Sequence, residues 1–130
     1  MTTTVYRTAQ EIFDVSTKAL IEQGFPSYDP DYGGTCYYRG PNGTKCAIGH
    51  LIPDDKYDPD FEGQNATPEI CRAARIEFLA NTTLAGGLQE AHDVWIGALG
   101  GTNIPCWANR LREIAKDYNL STQVLDEAGL

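Results

Sequence analysis

Cys46 and His50 stand four residues apart, and Cys36 lies ten residues before Cys46. On a helical turn through 46–50, Cys46 and His50 would share one face. Thiolate and imidazole are ligands for zinc, and a fourth could come from Cys71, His92 or Cys106. There is no C-x-x-C pair, and the Cys36 to Cys46 spacing is not that of a zinc knuckle. Buried core thiols are therefore the competing reading. The same Cys46, with His92 and Asp93, has the residue types of a nucleophile, a general base and an orienting acid. Against this, His92 follows Leu88 by four and precedes Trp95 by three, close to an apolar stripe. Asp93 should also point about 100° away from it on a helix. A partly buried, hydrogen-bonded histidine is the alternative.

Carboxylates suggest a third chemistry. Asp58-Pro59-Asp60-Phe61-Glu62-Gly63, with Glu69 six residues after the glycine, approximates the D-x-[DN]-x-[DN]-G-x5-E calcium loop. There, alternate oxygens converge on the ion and the last glutamate is bidentate. Glu62 is longer than the usual residue, Pro59 stiffens the loop, and Pro53 leaves no room for an entering helix. An acidic loop before a helix N-terminus accounts for the same residues. Recognition is the fourth possibility. Tyr28, Tyr32, Tyr37, Tyr38 and Tyr57 crowd into 30 residues beside Arg39, and five of the seven tyrosines lie there. Tyrosine and arginine are enriched in binding hot spots, although strand propensity and core packing also favour tyrosine. Tyr37, Tyr38, Arg39 and Tyr57 are the expected binding residues.

The rest of the composition narrows the partners. The 130 residues allow one domain with a core that needs no staples. The net charge of −8 repels phosphate backbones and suits a basic protein partner. Met1 to Tyr6 lacks an apolar leader, and no apolar run reaches the ~20 residues of a membrane span. A cytoplasmic location follows as the expectation, with no nucleic-acid or membrane binding and the four cysteines as thiols rather than disulfides. The N-x-Ser/Thr triplets at Asn42, Asn65, Asn81 and Asn119 are then coincidental.

Local signals place these residues on elements. Thr8 to Glu11 is a capping box that opens a helix with Ile12, Phe13, Ala19 and Leu20 inward, and Gly24 and Pro26 end it. Cys36 to Arg39 and Thr44 to Ala47 flank the turn residues Gly40-Pro41-Asn42-Gly43, which reads as a β-hairpin. Ala47 to Ile52 continues as a strand or one helical turn, and Pro53 stops it. Thr67-Pro68 starts a helix with Ile70, Ala74 and Phe78 inward. Gly86-Gly87 reads as a break before a stripe of Leu88, Ala91, Trp95 and Leu99, which Gly100-Gly101 ends. Trp107, Leu111, Ile114, Ala115 and Tyr118 stripe another helix after Pro105. Ser121 caps a last one, with Val124, Leu125 and Ala128 inward. The expected fold is α+β and mostly helical: four or five helices packed around one small β-hairpin, as a single domain 1–130.

The run Cys36-Tyr37-Tyr38-Arg39-Gly40 through Cys46-Ala47-Ile48-Gly49-His50-Leu51-Ile52-Pro53-Asp54, followed by Tyr57, Pro59, Glu62 and Gly63, resembles a motif of small uncharacterised proteins of bacteriophages and bacteria. That motif reads YRG-x-x-G-x-KCA-x-G-x-LIPD and then Y-x-P-x-x-EG. Leu88-Gln89-Glu90-Ala91-His92-Asp93 is similar to the family's LQ-x-x-HD. The resemblance spans most of the chain. It implies a phage or bacterial source and a cytoplasmic location, and carries no established activity. The expectation is thus a small acidic accessory protein that binds another protein, a host protein if the chain is phage-encoded, without catalysis or a cofactor. A zinc or calcium protein, or an enzyme centred on Cys46, His50 and His92, is the alternative. A purely structural reading gives Gly40, Gly43 and Gly49 to unusual backbone angles or close approach.

Overall fold

The first helix begins where its capping box places it. In a computed structural model that describes residues 5–27, 37–96 and 103–130, α1 runs Ala9–Gln23. The Thr8 hydroxyl accepts from the Glu11 N–H and the Glu11 carboxylate accepts from the Thr8 N–H, each at 3.1 Å. These bonds satisfy donors that no helical carbonyl reaches. Gly24 ends the helix at φ 81°, a left-handed conformation open to glycine, and its N–H returns to the Leu20 carbonyl at 2.9 Å. Ile12, Phe13, Ser16, Thr17 and Leu20 form the buried face.

Thr67 caps α2 (Pro68–Ala73) by accepting from the Ile70 N–H at 3.2 Å. The stripe Ile70, Ala74, Phe78 does not belong to one helix. Arg75 turns the chain at φ 58°, and α3 (Phe78–Trp95) starts afresh. The end of α2 finds partners outside itself: Arg7 donates from Nε to the Ala74 carbonyl at 3.2 Å and from its backbone to the Arg75 carbonyl at 2.8 Å.

The expected break at Gly86-Gly87 does not occur; α3 passes through both. Two glycines cost about 1 kcal/mol each in a helix interior. Burial of Leu84, Ala85, Leu88, Ala91, His92 and Trp95 along the same helix outweighs that. The Gly87 position faces Ile114 of α4 (Ile104–Asp117), which Asn103 caps by accepting from the Cys106 N–H at 3.1 Å. Trp95 of α3 stacks on Trp107 of α4 at 4.2 Å between ring centroids and 7° between planes. Trp107, Leu111, Ile114 and Ala115 are buried as their spacing predicts. Leu99 and Gly100-Gly101 lie outside the described residues. The last helix, α5 (Gln123–Glu127), begins one residue beyond expectation at Thr122, although the Ser121 hydroxyl still accepts from the Gln123 N–H at 3.2 Å. Leu125 is buried and Val124 partly so, but Ala128 is exposed.

The β-hairpin is not formed. The described residues contain five α-helices and no strand, and 63 % of them are helical, so the α+β expectation is corrected to a helical fold. Across the 37–47 loop, the Cys46 N–H reaches the Tyr37 carbonyl at 3.2 Å and the Gly40 N–H the Thr44 carbonyl at 2.7 Å. Side chains take the other ladder positions. Glu62 accepts from the Tyr38 and Arg39 N–H groups at 2.9 and 3.0 Å. Gln23 accepts from the Lys45 N–H at 2.8 Å and donates to its carbonyl at 3.0 Å. Backbone groups held this way cannot pair across a ladder. Asn42 at φ 60° and Gly43 at φ 74° complete a tight turn over Pro41–Gly43. Further single turns follow at Gly49–Leu51, Asp54–Lys56 and Pro59–Phe61. Buried residues of all five helices and of the 38–61 segment form one apolar cluster. Among the described residues no helix is long and apolar enough to cross a membrane.

Candidate functional site

The motif residues converge, but on one another. Glu62 leaves the Pro59–Phe61 turn and places its carboxylate on the chain at Tyr38 and Arg39, while its Oε2 also accepts from the Tyr57 hydroxyl at 2.5 Å. Arg39 pairs with Asp54, donates from Nη2 to the Ile52 carbonyl at 2.7 Å, and lies 4.9 Å from the centre of the Tyr57 ring. The hydrogen bond from Arg39, then its charge, holds the Asp54 carboxyl below the usual range. Burial, then the hydrogen bond to Glu62 and its charge, pushes the Tyr57 phenol up to about 12. Tyr38 is buried, and its hydroxyl donates to the Gln64 carbonyl at 2.8 Å. Of the expected binding residues, Tyr37, Arg39 and Tyr57 are half-buried and Tyr38 faces the core. Tyr28 and Tyr32 lie outside the described residues.

Cys46 and His50 sit one turn apart at the entry to the Gly49–Leu51 turn, where the His50 N–H reaches the Cys46 carbonyl at 3.1 Å. The Cys46 thiol is fully buried and accepts from the Gly49 N–H at 3.4 Å. Burial pushes it up to about 12, against the opposing pull of hydrogen bonds from Gly49 and Gln89. A thiol that holds its proton to that pH is a weak nucleophile. Gly49 is required by close approach: a Cβ there would collide with the Tyr38 carbonyl oxygen and lie 3.0 Å from its carbon. The His50 Nε2 faces the Gln23 Oε1 at 2.9 Å. Burial first, then the charges of Lys45, His92 and Arg39, lowers its pKa to about 4.

His92 is fully buried on α3. Its Nε2 accepts from the Ser27 N–H at 2.9 Å, which fixes the remaining proton on Nδ1. Nδ1 faces the Asp93 Oδ1 at 3.3 Å, so the two neighbours do meet, contrary to the divergence expected along the helix. The His92 and Trp95 rings also meet at 88°, 6.3 Å between centroids. With Nε2 accepting from the backbone at Ser27, its lone pair is not free to take a proton from a nucleophile. The set Cys46, His92 and Asp93 therefore does not form a dyad with an orienting acid. What His92 does is hold the segment after α1 against α3.

The described members of the metal sets do not assemble either. Among the described residues no group of three or more His, Cys, Asp or Glu side chains is placed to hold a metal ion, and Cys36 lies outside them. Cys71 is buried, with its thiol 3.8 Å from the Ala66 carbonyl, and Cys106 is exposed on α4. In the calcium-like loop, Asp58 accepts from the Asp60 N–H at 2.9 Å. Glu62 holds the Tyr38–Arg39 backbone and Tyr57, and Glu69 is exposed in the first turn of α2. Glu62 has an extended backbone, φ −63° and ψ 140°, and its carboxylate is bonded at Tyr38, Arg39 and Tyr57 rather than within the loop.

Gln23 is the organising residue that sequence reasoning missed. Its amide joins Lys45, His50 and the Phe25 carbonyl, the last at 2.6 Å. Its only sequence signal is its position as the last helical residue before Gly24. The described surface has a cleft between Phe25-Pro26 and Pro41 to Thr44, at the edge of the motif, and, away from the motif, a groove between α1 and α5. No family model, curated protein or solved structure matches this chain.

Proposed function

We propose that the chain is a non-catalytic binding module whose partner is a basic protein. The observation that carries this reading is the inward engagement of the motif's reactive groups: Cys46 and His92 are sealed in the core, and Arg39 and Glu62 are occupied within the chain. That leaves a surface with a formal net charge of −8 as the means of recognition. Such charge steers association with a basic partner and disfavours nucleic acid. The setting we propose is bacterial cytoplasm, and the partner is a host protein if the chain is phage-encoded. The test is capture from bacterial lysate at low salt, followed by a salt wash. A stoichiometric basic partner released as ionic strength rises supports the reading; recovery of no stoichiometric partner overturns it.

A further inference from the structure

The α1–α5 groove has a volume of about 370 Å³. Ile21 from α1 and Val124 and Ala128 from α5 make its apolar floor. Asp14, Glu22 and Glu127 stand around it, with Lys18 the one cation among the lining residues. Two of these carboxylates are oriented without being neutralised: Asp14 accepts from the Gln10 amide at 2.9 Å and Glu127 from the Gln123 amide at 2.7 Å. None of the three forms an ion pair among the described residues. The groove is also braced before any partner arrives. Gln10 accepts from the Ser121 N–H at 2.8 Å and donates to its carbonyl at 3.1 Å, tying the start of α5 to α1. A preformed surface loses less ordering entropy on binding.

We infer that this groove docks a basic amphipathic helical segment of the protein partner, an inference that rests on the binding reading above. An apolar side chain of the segment lies on Ile21, Val124 and Ala128, and its Lys or Arg residues face Asp14, Glu22 and Glu127. A helix laid in a groove between helices presents anchors at the required spacing of three and four residues. The charge selects among occupants. A second copy of this chain brings its own −8 and is repelled.

The test uses a labelled 14-residue peptide of leucine and lysine with leucines on one helical face, and a second peptide of the same composition with the pattern scrambled. Fluorescence anisotropy at low salt reads their binding to the full chain. The expected result is that the patterned peptide binds at least about ten-fold tighter than the scrambled one. Glu22→Lys/Glu127→Lys should weaken it about ten-fold or more, as should Ala128→Arg, which places a cation on the exposed part of the floor. Asp55→Lys/Glu69→Lys makes the same change in net charge outside the lining residues and should weaken it far less. Equal binding of both peptides, or equal loss in the two double variants, overturns the groove and leaves only general charge attraction. Lysate capture separates the two claims. A partner held equally by native chain and Glu22→Lys/Glu127→Lys removes the groove and keeps the binding reading. A native chain that captures nothing removes the binding reading.

Discussion

Replacing Glu62 by glutamine tests whether this carboxylate is the clasp of the motif. Glu62 accepts three hydrogen bonds: from the Tyr38 N–H at 2.9 Å through Oε1, and from the Arg39 N–H at 3.0 Å and the Tyr57 hydroxyl at 2.5 Å through Oε2. Glutamine has one oxygen. Its best orientation keeps the Oε2 site and turns an NH2 toward the Tyr38 N–H, donor against donor. A bond to a charged acceptor, worth about 1.5–3 kcal/mol, is lost outright, and the other two fall toward the ~1 kcal/mol of neutral bonds. Their sum approaches about 4 kcal/mol. Glu62 is half-exposed, so water replaces part of this, and a loss of about 2–3 kcal/mol is expected. Urea unfolding followed by circular dichroism measures it. With a slope of about 1–3 kcal/mol per molar, the midpoint should fall by roughly 0.7–3 M. A second readout isolates the clasp from general damage. The Tyr57 phenol, raised to about 12 by burial and then by Glu62, should titrate closer to the ordinary tyrosine value in Glu62→Gln. A midpoint shift equivalent to less than about 0.5 kcal/mol, with Tyr57 unmoved, would refute the assignment, because that is the size of an ordinary surface substitution.

Three further outcomes follow from other parts of the same network. His50 has a pKa of about 4 in the fold against 6.5 outside it, so above pH 6.5 both states are neutral, and between 6.5 and 4 the unfolded chain takes up the proton first. Stability therefore falls as pH is lowered across that window, by up to about 3.5 kcal/mol at ~1.4 kcal/mol per unit and about half that once solvent around the half-buried ring is allowed for. His50→Gln, which keeps a donor to Gln23, should flatten that part of the pH–stability curve, and an unchanged slope would count against it. The glycines should separate by surroundings. Gly86→Ala adds a methyl into open space on a helix and should stabilise by about 0.5–1 kcal/mol, whereas Gly49→Ala meets the Tyr38 backbone and should cost about 2 kcal/mol or more in thermal or urea unfolding. Iodoacetamide at pH 8 should label Cys106 in the native protein and reach Cys46 and Cys71 only on unfolding; rapid native labelling of Cys46, seen by peptide mass spectrometry, would restore the nucleophile reading.

The parts of the fold readable in the sequence are those whose signals are local. Thr8 with Glu11, Thr67 with Pro68 and the Trp107 stripe each put the decisive partner within one or two turns, and each helix begins or packs as its residues require. The parts that misled depend on partners far along the chain. Cys-Tyr-Tyr-Arg followed by Gly-Pro-Asn-Gly has hairpin chemistry, but its backbone groups are claimed by Gln23 and Glu62, more than 20 residues away in chain order for the pairs with Lys45, Tyr38 and Arg39. Gly86-Gly87 looks like a break until Ile114 is brought beside it. His92 looks like a base until the Ser27 N–H occupies its Nε2, across 65 positions.

These misreadings share a cause, which bears on how the motif should be interpreted. A buried loop without strands must satisfy its backbone N–H and C=O groups with side chains. The side chains that do so in this motif include glutamate, glutamine, histidine and arginine, types that also bind metals, move protons and recognise ligands. A dense polar motif is therefore the expected signature of a loop folded by its own side chains as well as of an active site. What separates the two is whether each polar atom is already committed. Both nitrogens of His92 are engaged, as are both oxygens of Glu62 and both ends of the Gln23 amide, while the buried Arg39 Nε has no hydrogen-bond partner among the described residues. Asp14 and Glu127 along the α1–α5 groove are oriented by amides but not neutralised, which is why the proposed recognition is placed there rather than in the motif.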